Sequence, residues 1–211
     1  MVIARALVAN SGLDPDKDVR IVVVGQAAQT AAMLRAKQVD ALSQFDAGYA
    51  MIENAGVKLR YMDKSMIAHY PSNGLIALEK TLTEHRAEAV ALAQGVAKGT
   101  VFMMANPKAA VRMFYEAFPQ LKPTGVDDEV AIAGALRQVN AVMHVFPLDQ
   151  SGVTKWGESS LPNYDAYVDF LVKWGVVPRK VPATELVSND LIDDINKFDA
   201  AEVEAIAQKY K

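Results

Sequence analysis

Residues 22–45, VVVGQAAQTAAMLRAKQVDALSQF, decide how this chain reads. Val22-Val23-Val24 is a β-branched run of the kind that suits a pleated strand. Gly25 breaks it. Gln26–Lys37 then has helical spacing, with Ala28, Ala31, Ala32 and Arg35 on adjacent turns. A second apolar run starts at Val39-Asp40-Ala41-Leu42 and ends at Phe45-Asp46. Strand, glycine turn, helix and strand predict a βαβ unit, which requires parallel strands and a right-handed crossover. Ligands of open parallel sheets sit beyond the carboxyl ends of the strands, beside helix N-termini. The pattern therefore predicts a site at Gly25–Thr30 and Ser43–Asp46.

Working outward, Val2–Asn10 reads as a helix stopped by Ser11-Gly12, with Gly12 suited to a left-handed C-terminal position. Val19–Val24 is the first predicted strand. Ala47–Ala55 is a helix ending at Gly56, and Val57–Met62 is a further strand. Residues 1–62 thus read α-β-α-β-α-β. The composition changes near residues 64–73, where the predicted domain boundary lies. After one short strand, Leu75–Leu78, the remainder reads as helix. Thr81–Glu84 has the pattern of a capping box. Behind it, Val90, Ala93, Ala97, Val101 and Met104 form a stripe expected to be buried. Asn106-Pro107 caps the next helix, with Val111, Phe114, Tyr115 and Phe118 expected inside. Asp127–Phe146, Leu161–Trp174, Ser188–Phe198 and Asp199–Tyr210 complete the predicted helices. Pro147–Ser159 reads as a loop, and its Trp156 is a minor candidate to cover a cleft mouth.

Composition narrows the function. The chain has 211 residues, 51% hydrophobic and 22% charged, with a formal net charge of -3. These values describe a globular chain and give no basic footprint for nucleic acid or an anionic membrane. With no cysteine, disulfides, cysteine nucleophiles and thiolate metal sites are excluded. No run of 18 apolar residues is long enough to span a bilayer. The opening MVIARALVANSGL reads as an amphipathic helix and not as a signal peptide. The expectation is a cytoplasmic protein or a chain that starts after a removed segment. No phosphate loop, zinc-protease motif, nucleophile elbow or complete dinucleotide fingerprint is present, and no cofactor or metal is expected.

The order of phrases resembles a known family. A helix ending in NSGLDPDKDV is followed by IVVVGQAAQTAAMLRAKQVDALSQFDAGYAMIENAG, then YPSNGLIAL, then the tail LVSNDLIDDINKFDAAEV. This is similar to the solute-binding proteins of ABC transporters for nitrate, sulfonate, taurine and thiamine-precursor-like compounds. The resemblance implies an α/β fold of the type II periplasmic-binding-protein kind. Two lobes with parallel-type sheets flanked by helices would close over a small solute, and the C-terminal part would be helix-rich. Residues 1–65 would form most of lobe two, 66–73 the hinge crossover, and 74–211 the helical part of lobe one and the tail. The first half of lobe one has no counterpart here, so a truncated chain is expected, with pairing of exposed edges into a homodimer as a possible result. Function by resemblance is the substrate-binding component of an importer, not an enzyme, with ABC permease subunits as partners and a periplasmic or extracytoplasmic location. The alternative on the same fold is a thiamine-precursor-type enzyme or a ligand-sensing domain.

The resemblance also sharpens the candidate site. Gly25, Gln26 and Gln29 would place free helix N–H groups at the cleft, ready for an anion or carbonyl. Ser43, Phe45, Asp46 and Tyr49 follow Val-Asp-Ala, where such proteins line the cleft. Phe45 would stack on a planar ligand and Asp46 would accept from an amine. Tyr70, Ser72 and Asn73 lie at the hinge, with His69 a weaker candidate. His85 and His144 have no carboxylate or histidine partner at metal spacing and read as structural. For each candidate the plain alternative is a turn, a cap or a core position.

Overall fold

Most predicted helices form, and none of the predicted strands does among the described residues. The computed structural model describes residues 1–210. The helices are α1 (Val2–Asn10), α2 (Ala27–Arg35), α3 (Asp46–Asn54), α4 (Glu79–Glu84), α5 (Arg86–Ala105), α6 (Pro107–Ala117), α7 (Asp128–Val142), α8 (Leu161–Lys173), α9 (Ile192–Ile195) and α10 (Ala200–Lys209). No strand forms among the described residues.

This overturns the expected two-lobe α/β fold. The segments predicted as strands, 19–24, 39–45, 57–62 and 75–78, run as unpaired chain. Many of their apolar side chains face solvent: Val23 is 83% exposed and Ile76 98%, and Tyr61, Met62, Leu75 and Leu78 are also exposed, while Val24, Leu42 and Val57 are half-buried. The physical reason is that a strand is not a local structure. β-Branched residues favour a pleated surface only when a neighbouring ladder and a packed face are supplied. A helix satisfies its own backbone, so the intervening helices form without them.

Several local predictions hold. Gly12 and Gly56 follow α1 and α3 with φ of 82° and 83°, the left-handed conformation that only glycine adopts at no steric cost. α2 ends two residues before its predicted limit, and Lys37 itself takes φ of 54°. The Asn106 side chain caps α6 by accepting from Ala109 N–H at 3.0 Å. Asp199 caps α10, accepting from Ala201 N–H at 2.9 Å. The box at Thr81–Glu84 does not form. α4 starts at Glu79, which places Thr83 inside the helix, donating to the carbonyls of Glu79 and Lys80. The predicted helix 188–198 shrinks to one turn, α9.

Two packed groups emerge. In the first, α3 lies between α2 and α7, and α7 also packs on α6. Ala31, Gly48, Ala50, Ile52, Ala131 and Ile132 are its buried residues. Small side chains let these helices approach closely. Asn54 ties α3 to α7, donating to the Gly134 carbonyl at 2.9 Å and accepting from Arg137. Arg35 donates to the Ala55 carbonyl and so joins the C-terminal ends of α2 and α3.

In the second group, α5 carries α4, α6, α9 and α10. Ala97 of α5 meets Ile192 and Ile195 of α9, with Val90, Ala93, Trp156 and Phe198 around them. Trp156 is therefore core, held by a reciprocal pair of hydrogen bonds with Asn196, each 2.9 Å. Phe114 and Phe118, expected inside, are exposed and pack on each other at 5.4 Å.

Arg86 and Lys197 both reach Asp194, at 2.7 and 2.6 Å. Lys197 first and Arg86 second hold the Asp194 carboxyl below its ordinary range. A depressed carboxylate stabilises the fold above its unfolded pKa, and that contribution is lost as pH falls through the folded value. Acidification below about pH 4 is thus expected to loosen α9 from α5. Asp194→Asn should flatten this part of the melting-temperature profile, and an unchanged acid limb in that variant would remove Asp194 from the account.

Candidate functional site

A concavity lies between α1, the 66–70 connector and α8. α8 presents Ala166, Asp169, Phe170, Lys173 and Trp174 to it, spaced i, i+3, i+4, i+7 and i+8 as one helical face requires. α1 contributes Ala6, Ala9 and Asn10, and the connector contributes Met66 and Tyr70. The small residues of α1 leave room, and the groove has a volume of about 660 Å³, within the range usual for small-molecule sites.

Its walls are aromatic. The Tyr70 ring lies 5.4 Å from Tyr167 and 5.1 Å from Phe170, tilted against both. Phe170 is buried, and the half-buried Trp174 follows at 6.5 Å. Asp169 is neutralised by Lys180, whose ammonium sits 2.8 and 2.9 Å from its two oxygens.

A second cluster surrounds Asp46. As the first residue of α3, its carboxylate sits where the helix dipole favours negative charge. Lys64 reaches it at 2.6 Å and His144 at 3.6 Å. The Tyr49 hydroxyl accepts from Gln44 N–H at 2.9 Å and donates to the Leu42 carbonyl at 3.3 Å, which closes the turn before α3. Tyr61 meets Tyr49 edge-on at 5.6 Å. Partial desolvation, and secondarily the charge of Glu53, push the phenol of the largely exposed Tyr61 above its usual range.

The sequence candidates therefore fall in distinct places. Ser43, Phe45, Asp46 and Tyr49 share the entry to α3, where Phe45 is 68% exposed. Gly25, Gln26 and Gln29 share the entry to α2. There the Gln29 side chain folds over Gly25, so closely that a Cβ at 25 would meet its Oε1 at 1.8 Å. Thr30 Oγ1 donates to the Gly25 carbonyl at 2.9 Å, and no side chain caps the helix. Tyr70 faces other elements, α1 and α8. Ser72 and Asn73 are exposed, as is His69.

Sequence reasoning missed His144 and the α8 face. No spacing in the chain relates His144 to Asp46, and only the packing of α3 on α7 brings them together. The α8 face was partly legible, because Phe170 and Trp174 are four residues apart.

Residues 2–110 match the family model described as NMT1/THI5 like. The chain belongs to the NMT1/THI5-like family. Comparison with curated proteins and with solved structures gave no match. The NMT1/THI5-like family is in general one of solute-binding and transport proteins. Its match covers Asp46, Tyr49, Tyr70 and the α1 wall of the groove; His144 and the α8 wall lie beyond it.

Proposed function

We propose that this chain is the substrate-binding component of an ABC-type importer, holding a small organic or oxyanion solute outside the cytoplasm and passing it to membrane permease subunits. The observation that supports this reading is the family match over residues 2–110. The candidate solute contacts form three separate groups: Gly25, Gln26 and Gln29 at the start of α2; Ser43, Phe45, Asp46 and Tyr49 at the start of α3; and Tyr70, Ser72 and Asn73 on the connector. Few polar groups in a largely apolar recess are what solute recognition needs, and the Tyr70 groove has that character.

Calorimetry with nitrate, taurine, an alkanesulfonate, an aminopyrimidine and benzoate tests the reading. Saturable binding of at least one solute is expected. Tyr70→Ala or Phe45→Ala should weaken that binding at least tenfold with the circular-dichroism spectrum retained. Unchanged affinity in both variants would remove these contacts, and no binding across the panel would remove the solute-binding reading.

A further inference from the structure

We propose that the α1–α8 groove binds a monocyclic aromatic carboxylate, its ring against Tyr70, Phe170 and Trp174 and its charge on Lys173. The inference rests on the solute-binding reading above and names the chemical class of the solute.

Charge decides the sign of the ligand. The groove holds two ionisable side chains of opposite sign, Asp169 and Lys173. Asp169 already has its cation in Lys180. Lys173 has no carboxylate within 4.0 Å among the described residues, and its ammonium is not seated over an aromatic ring. It is exposed and accessible to a ligand.

Helix ends do not reverse that sign. α1 and α8 both end at the groove, and free carbonyls there would favour a cation. Those carbonyls are taken by backbone donors. Ser11 N–H donates to Leu7 and Val8, and Gly12 N–H to Ala9, at 3.0–3.1 Å. At α8, Trp174 N–H donates to Phe170, Gly175 N–H to Val172 and Val176 N–H to Leu171, at 2.9–3.1 Å. The Lys173 ammonium is therefore not required to cap α8. The Asn10 amide and the Tyr70 hydroxyl add donor capacity at the groove.

Shape decides the rest. The half-buried Tyr70 and Trp174 offer ring surface to a flat ligand, and the buried Phe170 backs both of them. An aliphatic anion would satisfy Lys173 but leave those faces unused. A neutral arene would use them but leave the ammonium without a partner.

Isothermal titration of the full chain with sodium benzoate, benzamide, cyclohexanecarboxylate and benzylamine tests the inference. Saturable benzoate binding is expected, with benzamide at least tenfold weaker and cyclohexanecarboxylate also weaker. Lys173→Gln, a change at an exposed position, should reduce benzoate affinity at least tenfold while leaving the melting temperature unchanged. Absence of saturable benzoate binding would overturn the inference. So would equal benzoate binding by Lys173→Gln, or tighter binding of benzylamine. If benzoate fails while another solute of the wider panel binds in a Tyr70-dependent way, the aromatic-carboxylate inference falls and the solute-binding reading stands. If nothing binds, both fall.

Discussion

Ile52→Ala is expected to lower the unfolding free energy by about 2–5 kcal/mol, the range for truncating a buried isoleucine. Ile52 is 1% exposed and sits in α3, which packs on both α2 and α7. Its loss removes apolar burial and leaves a void. The other buried residues of these helices are mostly small: Ala31, Gly48, Ala50 and Ala131. The larger ones are Thr30 and Ile132, both β-branched and stiff at χ1, so relaxation recovers little. Denaturant melts followed by circular dichroism give the value directly. Ile52→Val serves as the graded control, with a loss of about 0.5–1.5 kcal/mol. A loss under about 1 kcal/mol for the alanine variant would mean that α3 does not anchor this half of the chain.

Asn106→Ala is expected to cost about 2–3 kcal/mol, more than an ordinary cap, because one side chain makes three hydrogen bonds. Its Oδ1 accepts from Ala109 N–H at 3.0 Å and starts α6. Its Nδ2 donates to the carbonyls of Ala207 at 2.9 Å and Tyr210 at 3.3 Å, which fastens the end of α10. Alanine removes the cap and strands two acceptors that the fold has partly buried. Asn106→Asp separates the contributions. It keeps the cap but loses the donor and places negative charge against two carbonyls, so it should rescue α6 and not α10. Hydrogen exchange reads the difference: faster exchange in α10 for both variants, and in the first turn of α6 for alanine alone. Equal protection of α10 in Asn106→Asp would show that Gln208, which donates to the Ala105 carbonyl at 2.9 Å, holds the junction by itself.

The candidate site was legible in parts. Tyr70 was singled out for its place at the crossover that the family resemblance implies, and it lines the groove between α1 and α8. Asp46 was singled out after the Val-Asp-Ala phrase, and it gathers Lys64 and His144. The partners of both residues were not legible. Asp46 and His144 are far apart in sequence, as are Tyr70 and Phe170, and no periodic pattern links such positions. Phe114 and Phe118 failed for a related reason. Their helical spacing is what a buried stripe shows, but spacing does not say whether a neighbouring element arrives to cover it.

Local interactions account for what the sequence by itself determined: helix positions, the glycine stops at Gly12 and Gly56, and the caps at Asn106 and Asp199. Each depends on residues within a few positions, so each can be read without knowing the rest of the chain. Tertiary structure alone decided the fate of Val22–Val24 and its companion segments. Their backbone groups need partners from elsewhere, and in the described structure none arrives, so β-branched composition did not become a sheet. It also decided that Lys173 and Tyr70 would line one groove, because that depends on how α1, α8 and the connector settle.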